Sequence, residues 1–444
     1  MSVEDTFDAM VMELSKDYVS PQALDLKMKK IKVQDKEGNQ RIEDGNPYST
    51  RSNISKILEN HPKFQTLFWD DFSMKIYWND VAFADHDLTR IVIWIENTYH
   101  FITSEDVLKK VVLLVARNRA KNLLAEYLDS HITEQTKDTL GWDGTQRLKD
   151  IFTKYFGVES IYFDDENGVQ RDLVEIYGVK YFVGAIKRAL FATLESPIKQ
   201  DVVLILMGAQ GIRKSSALEA LALKNCWFSD EELDLTSKDA KYAIQGKLLY
   251  ELAEWSGRGK NIQREKAFFS SKTDRYRPVH GTFQIEVPRR CNFAVTANRK
   301  SLLNDSTGSR RYWALVCGQV VHPGGWDGKK LPVSELEKIA VQIWLEARYL
   351  ASQDVQYWLT DMEDEQRADA NTEFASSHPW IYKVRNIVLS RDEVTIDFIM
   401  DSLALRMSER NPKSKTIIEM CLKEIGYSKK RRGSRNNRYI AWVK

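Results

Sequence analysis

The stretch Asp201 to Ala217, DVVLILMGAQGIRKSSA, restricts the fold more than any other part of the chain. An apolar run, Val202 to Met207, passes into a glycine-containing turn and then into Lys214, Ser215 and Ser216. Such a run, closed by Gly208, predicts a buried strand, a tight loop and a helix start. That layout is a phosphate-binding loop. Its amides cradle a β-phosphate, its lysine reaches the β- and γ-phosphates, and the following hydroxyl holds Mg²⁺. Gly208, Lys214 and Ser215 fall at the offsets of G-x-x-x-x-G-K-[ST], and Gly211, Arg213 and Ser216 complete the set expected to contact ATP. Arg213 departs from the pattern, which has a glycine there. Positive φ costs energy for any residue with a Cβ, and a side chain at this point is expected to crowd the phosphates and slow hydrolysis. An ordinary buried strand followed by a polar turn has the same local pattern.

Three further segments bear on the same chemistry. The run Lys247 to Ala253, KLLYELA, predicts a second buried strand with Glu251 and Glu254 at its carboxyl end. Open α/β sheets bind ligands at that end of their strands, so one acid is expected to hold the ion and the other to polarise the attacking water. The alternative is surface acids after a core strand. A third strand, CNFAVTAN, ends in Asn298, suited to orienting water against the γ-phosphate. Beyond it STGSRRYWAL carries Arg310 and Arg311, either of which can neutralise charge in phosphoryl transfer or stand as a solvated surface charge. Between the second and third strands, YRPV and TFQIEVP flank His280 and Gly281 as the tip of a hairpin.

At 444 residues the chain exceeds a single compact core, and its composition shifts mark boundaries. Residues 1–50 are charged and punctuated by Gly and Pro, and read as a flexible segment. Residues 51–135 read as an N-terminal α/β domain in which ISKILENHPKF is helical, KIYWND and TRIVIWIENTYHFI are strand-like and VLKKVVLLVARNRAKNLLAEYL is helical. The phosphate-loop domain occupies 136–355, an acidic linker with helical character 356–379, and a last unit 380–444. In that unit two short helices precede a basic ribbon, the order of a winged helix-turn-helix, with a capping box from Thr416 to Glu419 opening the second helix.

The formal net charge of +2 is unevenly distributed. From Arg406 to Lys444 there are 12 Lys or Arg against 3 Glu, a net of +9, which leaves the first 405 residues at −7. A basic tail on an acidic body points to an anionic polymer. Lys429, Lys430, Arg431, Arg432, Arg435 and Arg438 on the ribbon, with Lys415 and Lys423 on the second helix, are expected to meet DNA phosphates. The four cysteines are widely spaced without a C-x-x-C pair, so neither a zinc site nor a disulfide framework is expected. The N-terminus lacks a signal-peptide pattern and no apolar run approaches the ~20 residues that span a bilayer. A cytoplasmic protein, with no membrane partner, is the expectation.

Several of these segments together resemble the virulence-associated protein E family of prophages and pathogenicity islands, which is similar to superfamily 3 helicases among the AAA+ ATPases. The likeness covers about Asn53 to Leu315, and rests on LGWDGTQRL at 140–148, GAQGIRKSSAL at 208–218, ELAEW at 251–255, KTDRYRPVHG at 272–281, VPRRCNFAVTAN at 287–298 and DSTGSRRYWAL at 305–315. The resemblance implies an AAA+-like P-loop core in which Lys214 and Ser215 form Walker A, Glu251 and Glu254 stand at Walker B, and Asn298 is the sensor. It implies a ring, expected to be hexameric, whose neighbouring subunit supplies Arg310 or Arg311. Arg277 and His280 of the hairpin are then expected to face the pore and hold one DNA strand, unless the hairpin merely caps the sheet. The family usually has Gly where Arg213 stands. The expected function is an ATP-driven helicase or remodelling motor on single- and double-stranded DNA in replication of a mobile element. The alternatives are a DNA-binding ring that binds nucleotide with little hydrolysis, and a small-molecule kinase using the same loop.

Overall fold

The computed structural model describes residues 18–237, 239–253, 262–278, 283–298, 309–372, 380–389, 391–432 and 439–444. The chain begins there with an ordered unit. Strands β1 (Met28–Gln34) and β2 (Gln40–Pro47) form an antiparallel hairpin ahead of helix α1 (Arg51–Asn60). The sequence reading of residues 1–50 as a flexible segment gives way over this stretch, for two local reasons. Asp35 Oδ1 accepts from the amides of Glu37 and Asn39 and so builds the turn. The buried Asn53 amide bonds Lys27 N and O at 2.8 and 3.0 Å and Tyr48 O at 2.9 Å, pinning both ends of the hairpin to α1. Leu24 and Leu26 are buried with them.

Strands β3 (Phe68–Asp70), β4 (Lys75–Trp78) and β5 (Val81–Ala82) make a small antiparallel sheet, followed by helices α2 (Asp85–Tyr99), α3 (Glu105–Asn118) and α4 (Leu123–Asp129). Helix α2 corrects the strand reading of TRIVIWIENTYHFI. Its buried residues, Leu88, Ile91, Trp94, Ile95 and Tyr99, recur at helical spacing, and Asp87 Oδ2 caps the start by accepting from Ala84 N at 2.8 Å. The unit docks on the next one through Phe72, whose ring meets Trp227 edge-on at 5.8 Å. At Gly246, φ is +73° and an added Cβ would lie 2.9 Å from the Ser73 backbone, so only glycine suits this junction.

The central unit contains α5 (Ile151–Phe156), the hairpin β6 (Tyr162–Asp164) and β7 (Gln170–Asp172), and α6 (Leu173–Ile186). Then follow β8 (Val203–Met207), α7 (Lys214–Leu221), β9 (Phe228–Ser229), α8 (Ala240–Ala243), β10 (Leu249–Ala253) and α9 (Ile262–Ser270). Strands β11 (Thr273–Tyr276), β12 (Ile285–Pro288), β13 (Asn292–Ala297) and β14 (Tyr312–Val316) precede helices α10 (Val333–Ser352) and α11 (Asp361–Thr372). Five strands make one parallel sheet in the order β14-β8-β13-β10-β9. Strand β8 is buried throughout because its alternate residues serve two cores, Leu204 and Leu206 on one face and Val203, Ile205 and Met207 on the other. Burial on both faces is why such strands read as unbroken apolar runs.

Residues 140–148 form a clasp on α10. Glu346 Oε2 accepts from Arg147 N at 2.7 Å and Leu148 N at 3.1 Å, and Gln342 Oε1 accepts from Asp143 N at 3.0 Å. Asp143 in turn holds the Arg147 guanidinium through two 2.7 Å bonds. Helix α11 occupies residues 361–372 of the expected linker 356–379. It packs on the sheet edge, where Asn371 Nδ2 donates to Tyr312 O at 2.8 Å, and on α6, where Glu363 pairs with Lys180 at 2.5 Å.

The last unit is α12 (Trp380–Val388), β15 (Glu393–Val394), α13 (Ile396–Ser402), α14 (Pro412–Glu424), β16 (Ser428–Arg432) and β17 (Tyr439–Val443). Its three strands pair antiparallel in the order β15-β17-β16 over a core that includes Ile399, Ile418, Leu422 and Trp442. Helix α14 starts four residues before the expected capping box. Asn411 caps it by accepting from Ser414 N at 3.0 Å, while Thr416 Oγ1 bonds Pro412 O inside the helix. Among the described residues, no helix is long and apolar enough to cross a membrane.

Candidate functional site

The turn between β8 and α7 is held from behind by the end of the neighbouring strand. Gly208 N donates to Ala297 O at 3.1 Å, and a Cβ on Gly208 would meet Cys317 O at 3.0 Å. Gly211 turns with φ +82° into open space. Arg213 has φ 73° and ψ 38°, the left-handed conformation that the pattern reserves for glycine, and its side chain is exposed. A residue with a Cβ carries strain there.

Lys214 is buried at the first position of α7, with Nζ bonded to Gly208 O at 3.1 Å, Ala209 O at 3.0 Å and Asn298 Oδ1 at 3.3 Å. At the next position of the helix, Ser215 Oγ donates to Glu251 Oε1 at 2.6 Å. Thr296 Oγ1 donates to the same oxygen. Glu251 is 1% exposed and its Oε2 has no hydrogen-bond partner. Burial pushes this carboxyl above its ordinary range, the Ser215 and Thr296 hydroxyls oppose the rise, the Asp230 charge adds to it and the Lys214 charge lowers it. A buried carboxylate oxygen without a partner, beside a hydroxyl oxygen, is a donor set suited to a hard divalent cation such as Mg²⁺. Among the described residues, no cluster of three His, Cys, Asp or Glu offers a metal cage. The cysteines are all free, three of them buried.

Thr296 and Asp230 are contributors that the sequence reasoning missed. Thr296 is the one hydroxyl inside the run CNFAVTAN, which was the available signal. Glu254 and His280 lie outside the described residues. Ser216 is half-buried on the flank of α7.

Arg310 and Arg311 are not brought to this site. They precede Tyr312, which pairs with Val203 at the start of β8, whereas the loop follows Met207 at its end. The strand length separates them by roughly 15 Å. The two arginines also differ from each other. Arg311 Nε donates to Ser270 Oγ at 2.8 Å and lies 3.7 Å from Asp201, while Arg310 is exposed.

Strands β11 and β12 pair antiparallel from Thr273↔Pro288 to Tyr276↔Ile285, so the expected hairpin is present up to its tip. At its base Asp274 and Arg289 form an ion pair with both side chains fully buried. Arg277 follows the tip-side end of β11 and is exposed. On the last unit Lys415, Lys423, Lys429, Lys430 and Arg432 are exposed, and Arg431 stands on β16. Lys429 is 3.3 Å from Glu419 and Arg432 3.1 Å from Glu393. Arg435 and Arg438 lie outside the described residues.

A domain model described as virulence-associated protein E-like matches residues 137–376, more than half of the chain. No curated protein matches it. Among solved structures, the apo structure of the NrS-1 C terminal region (305–718) is 11% identical, with a TM-score of 0.40 over 85% of this chain and 95% of that one. Two A form apo structures of the NrS-1 C terminal region are 12% and 13% identical, with TM-scores of 0.42 and 0.37, each over 85% of this chain and 96% of the other.

Proposed function

The chain belongs to the virulence-associated protein E-like family, and we propose that it is an ATP-dependent DNA helicase or DNA-remodelling motor acting in replication of a phage or mobile genetic element. The observation that carries this reading is the 2.6 Å bond from Ser215 to the buried Glu251, formed beside Lys214 under a glycine turn at the carboxyl edge of a parallel sheet. A strand order with the loop strand flanked by the last two strands is that of AAA+-like P-loop cores, and this order supports the same reading.

In this mechanism the loop amides and the Lys214 ammonium gather the phosphates, replacing the carbonyls that Lys214 now holds. Mg²⁺, when bound with the nucleotide by Ser215 and Glu251, supplies charge neutralisation on the phosphate oxygens. Asn298, already 3.3 Å from Lys214 Nζ, orients the attacking water, and Glu254 polarises it. Arg310 serves the site of a neighbouring copy in a ring, because within one chain it stands at the opposite end of the sheet. The last unit acts as a winged helix on duplex DNA through its exposed lysines, and the hairpin holds a single strand through Arg277 and His280. Such contacts go to phosphates and are independent of sequence.

Rates of ATP hydrolysis with no DNA, with single strands and with duplex test the proposal. Stimulation by DNA, lost in Lys214→Ala, is the expected result, and DNA-independent phosphorylation of a small molecule would overturn it. The left-handed Arg213 favours a second reading, a DNA-binding ring that holds nucleotide with little turnover. Tight ATP binding with negligible hydrolysis by the parent, and a gain of turnover in Arg213→Gly, would establish that reading instead.

A further inference from the structure

We propose that the crevice between α7 and α10 takes the base and ribose of a purine nucleoside triphosphate, with the Arg213 guanidinium lying along its mouth. The inference rests on the nucleotide-loop reading given above. The crevice has a volume of about 440 Å³, with Arg213, Ser216 and Ala220 on one wall, Glu337 and Val341 on the other, and Tyr127 at one end. Pockets for small ligands run from roughly 300 Å³ upward, and a purine nucleoside fits within one of this size.

The phase of α7 decides where the nucleoside can go. Lys214, Ala217, Leu218 and Leu221 are the buried face of the helix, and Ser215 is committed to Glu251. Residues 213, 216 and 220 are spaced by three and four, so they form a stripe along another flank, and that stripe opens on the crevice. Among the described residues, backbone lies close to the loop on two other sides. Cys317 O lies against Gly208, and Leu331 N donates to Ile212 O at 2.9 Å. A triphosphate with its terminal groups at Lys214, Ser215 and Glu251 therefore leaves the loop past Arg213 and Ser216. Glu251 itself supports an incoming ligand, since its Oε2 is buried with no partner.

The walls suit a base. Tyr127 closes one end with a ring that already meets Lys224 at 4.5 Å, His131 at 4.9 Å and Trp227 at 5.4 Å, so the planar Arg213 guanidinium is the stacking surface open to the base. Glu337 accepts from an exocyclic amino group. Strain at Arg213 is then compensated by the contact its side chain makes, in place of the crowding that the sequence predicts, because the crevice lies on the flank of α7 away from Glu251. Tyr127 precedes the family-matched residues 137–376, so one end of the crevice is supplied from ahead of that match.

Calorimetric titration of the full chain with Mg-ATP and with Mg-tripolyphosphate, which lacks the nucleoside, tests this. ATP is expected to bind at least about tenfold more tightly. Ala220→Phe, which fills the crevice, is expected to bring ATP to within about twofold of tripolyphosphate while leaving tripolyphosphate affinity unchanged. Equal affinities in the parent, or an ATP advantage that survives Ala220→Phe, overturn the crevice and leave the phosphate-loop reading standing. Binding of neither ligand overturns both. Photolabelling of the unmodified chain by an azido derivative of ATP tests it without any variant. Label is expected on peptides containing Ala220 or Val341, and label confined to other peptides overturns the assignment.

Discussion

Ser215 Oγ and Glu251 Oε1, on neighbouring elements of the sheet and its first flanking helix, are 2.6 Å apart, and the second carboxylate oxygen is buried without a partner. The fold thus keeps an ionisable group where burial raises its pKa. A raised pKa means that ionisation is penalised in the folded state relative to the unfolded one. Stability linked to Glu251 is therefore fully present below its unfolded pKa and is lost as pH rises through the higher folded value. Glu251→Gln is expected to lower turnover by about 10²–10³-fold, the effect of losing an electrostatic stabiliser. Its melting temperature should equal or exceed the parent's, by a margin that grows from acid to neutral pH. A variant that is inactive and also less stable at neutral pH would count against this account.

Arg310 and Arg311 are expected to separate by role. Arg310→Ala should reduce turnover by about 10³-fold with little change in melting temperature. Arg311→Ala should cost about 1 kcal/mol of stability through the lost bond to Ser270. Mixing Arg310→Ala and Lys214→Ala subunits, each inactive alone, should restore measurable hydrolysis, because an intact loop can then face an intact arginine. Absence of recovery in a mixture shown to co-assemble would remove Arg310 from the neighbour's site.

The Asp274–Arg289 pair fixes the base of the hairpin away from water. Breaking it leaves an uncompensated buried charge, so Asp274→Ala is expected to cost roughly 3–5 kcal/mol in denaturant unfolding. Asp274→Leu combined with Arg289→Met should recover most of that loss. A small cost for the single change would show that water reaches the guanidinium.

Removing residues 380–444 should cost duplex-DNA affinity and flatten its dependence on salt, since counterion release scales with the phosphates neutralised. Lys430→Ala should lower the logarithmic salt slope by about 0.9, the share of one phosphate. Lys429→Ala should have a smaller effect, because Glu419 already lies 3.3 Å from its ammonium. Fluorescence anisotropy on a labelled duplex at several salt concentrations reads all three changes.

The strands β8 and β13 were legible in the sequence because they are buried on both faces, and a run of apolar residues leaves few other folds. Helix α2 was not, since the local run Ile91, Val92, Ile93 masks a helical stripe that only packing against His61 and Phe64 reveals. The N-terminal hairpin was hidden by its exposed, charged faces, and its only local signals were the Asp35 turn and Asn53. Helix α11 read as an acidic linker because Asp361, Glu365 and Asp369 are exposed, while the contacts that fix it, Glu363 to Lys180 and Asn371 to Tyr312, are with residues far away in the chain. At the site, the spacing around Lys214 and the conformation required of residue 213 followed from the pattern. The hydroxyl of Thr296 did not, because its partner Glu251 lies 45 residues away. The direction taken by the Arg213 side chain depends on α10, which no local rule places.

The clasp on residues 140–148 also sets a timetable for making the protein. Glu346 lies 199 residues beyond Arg147, whose amide it accepts, so that bond has no acceptor until the ribosome has extended the chain that far. At ordinary elongation speeds the delay is roughly 10–40 s. During that interval Leu148, wholly buried in the finished fold, has no α10 to cover it. The N-terminal core, by contrast, draws its buried residues only from Leu24 to Ala116, and can close before the wait begins. Slowed translation between these points is therefore expected to lengthen the nascent chain's dependence on chaperones, and to do so for the central unit rather than for the segment ahead of it.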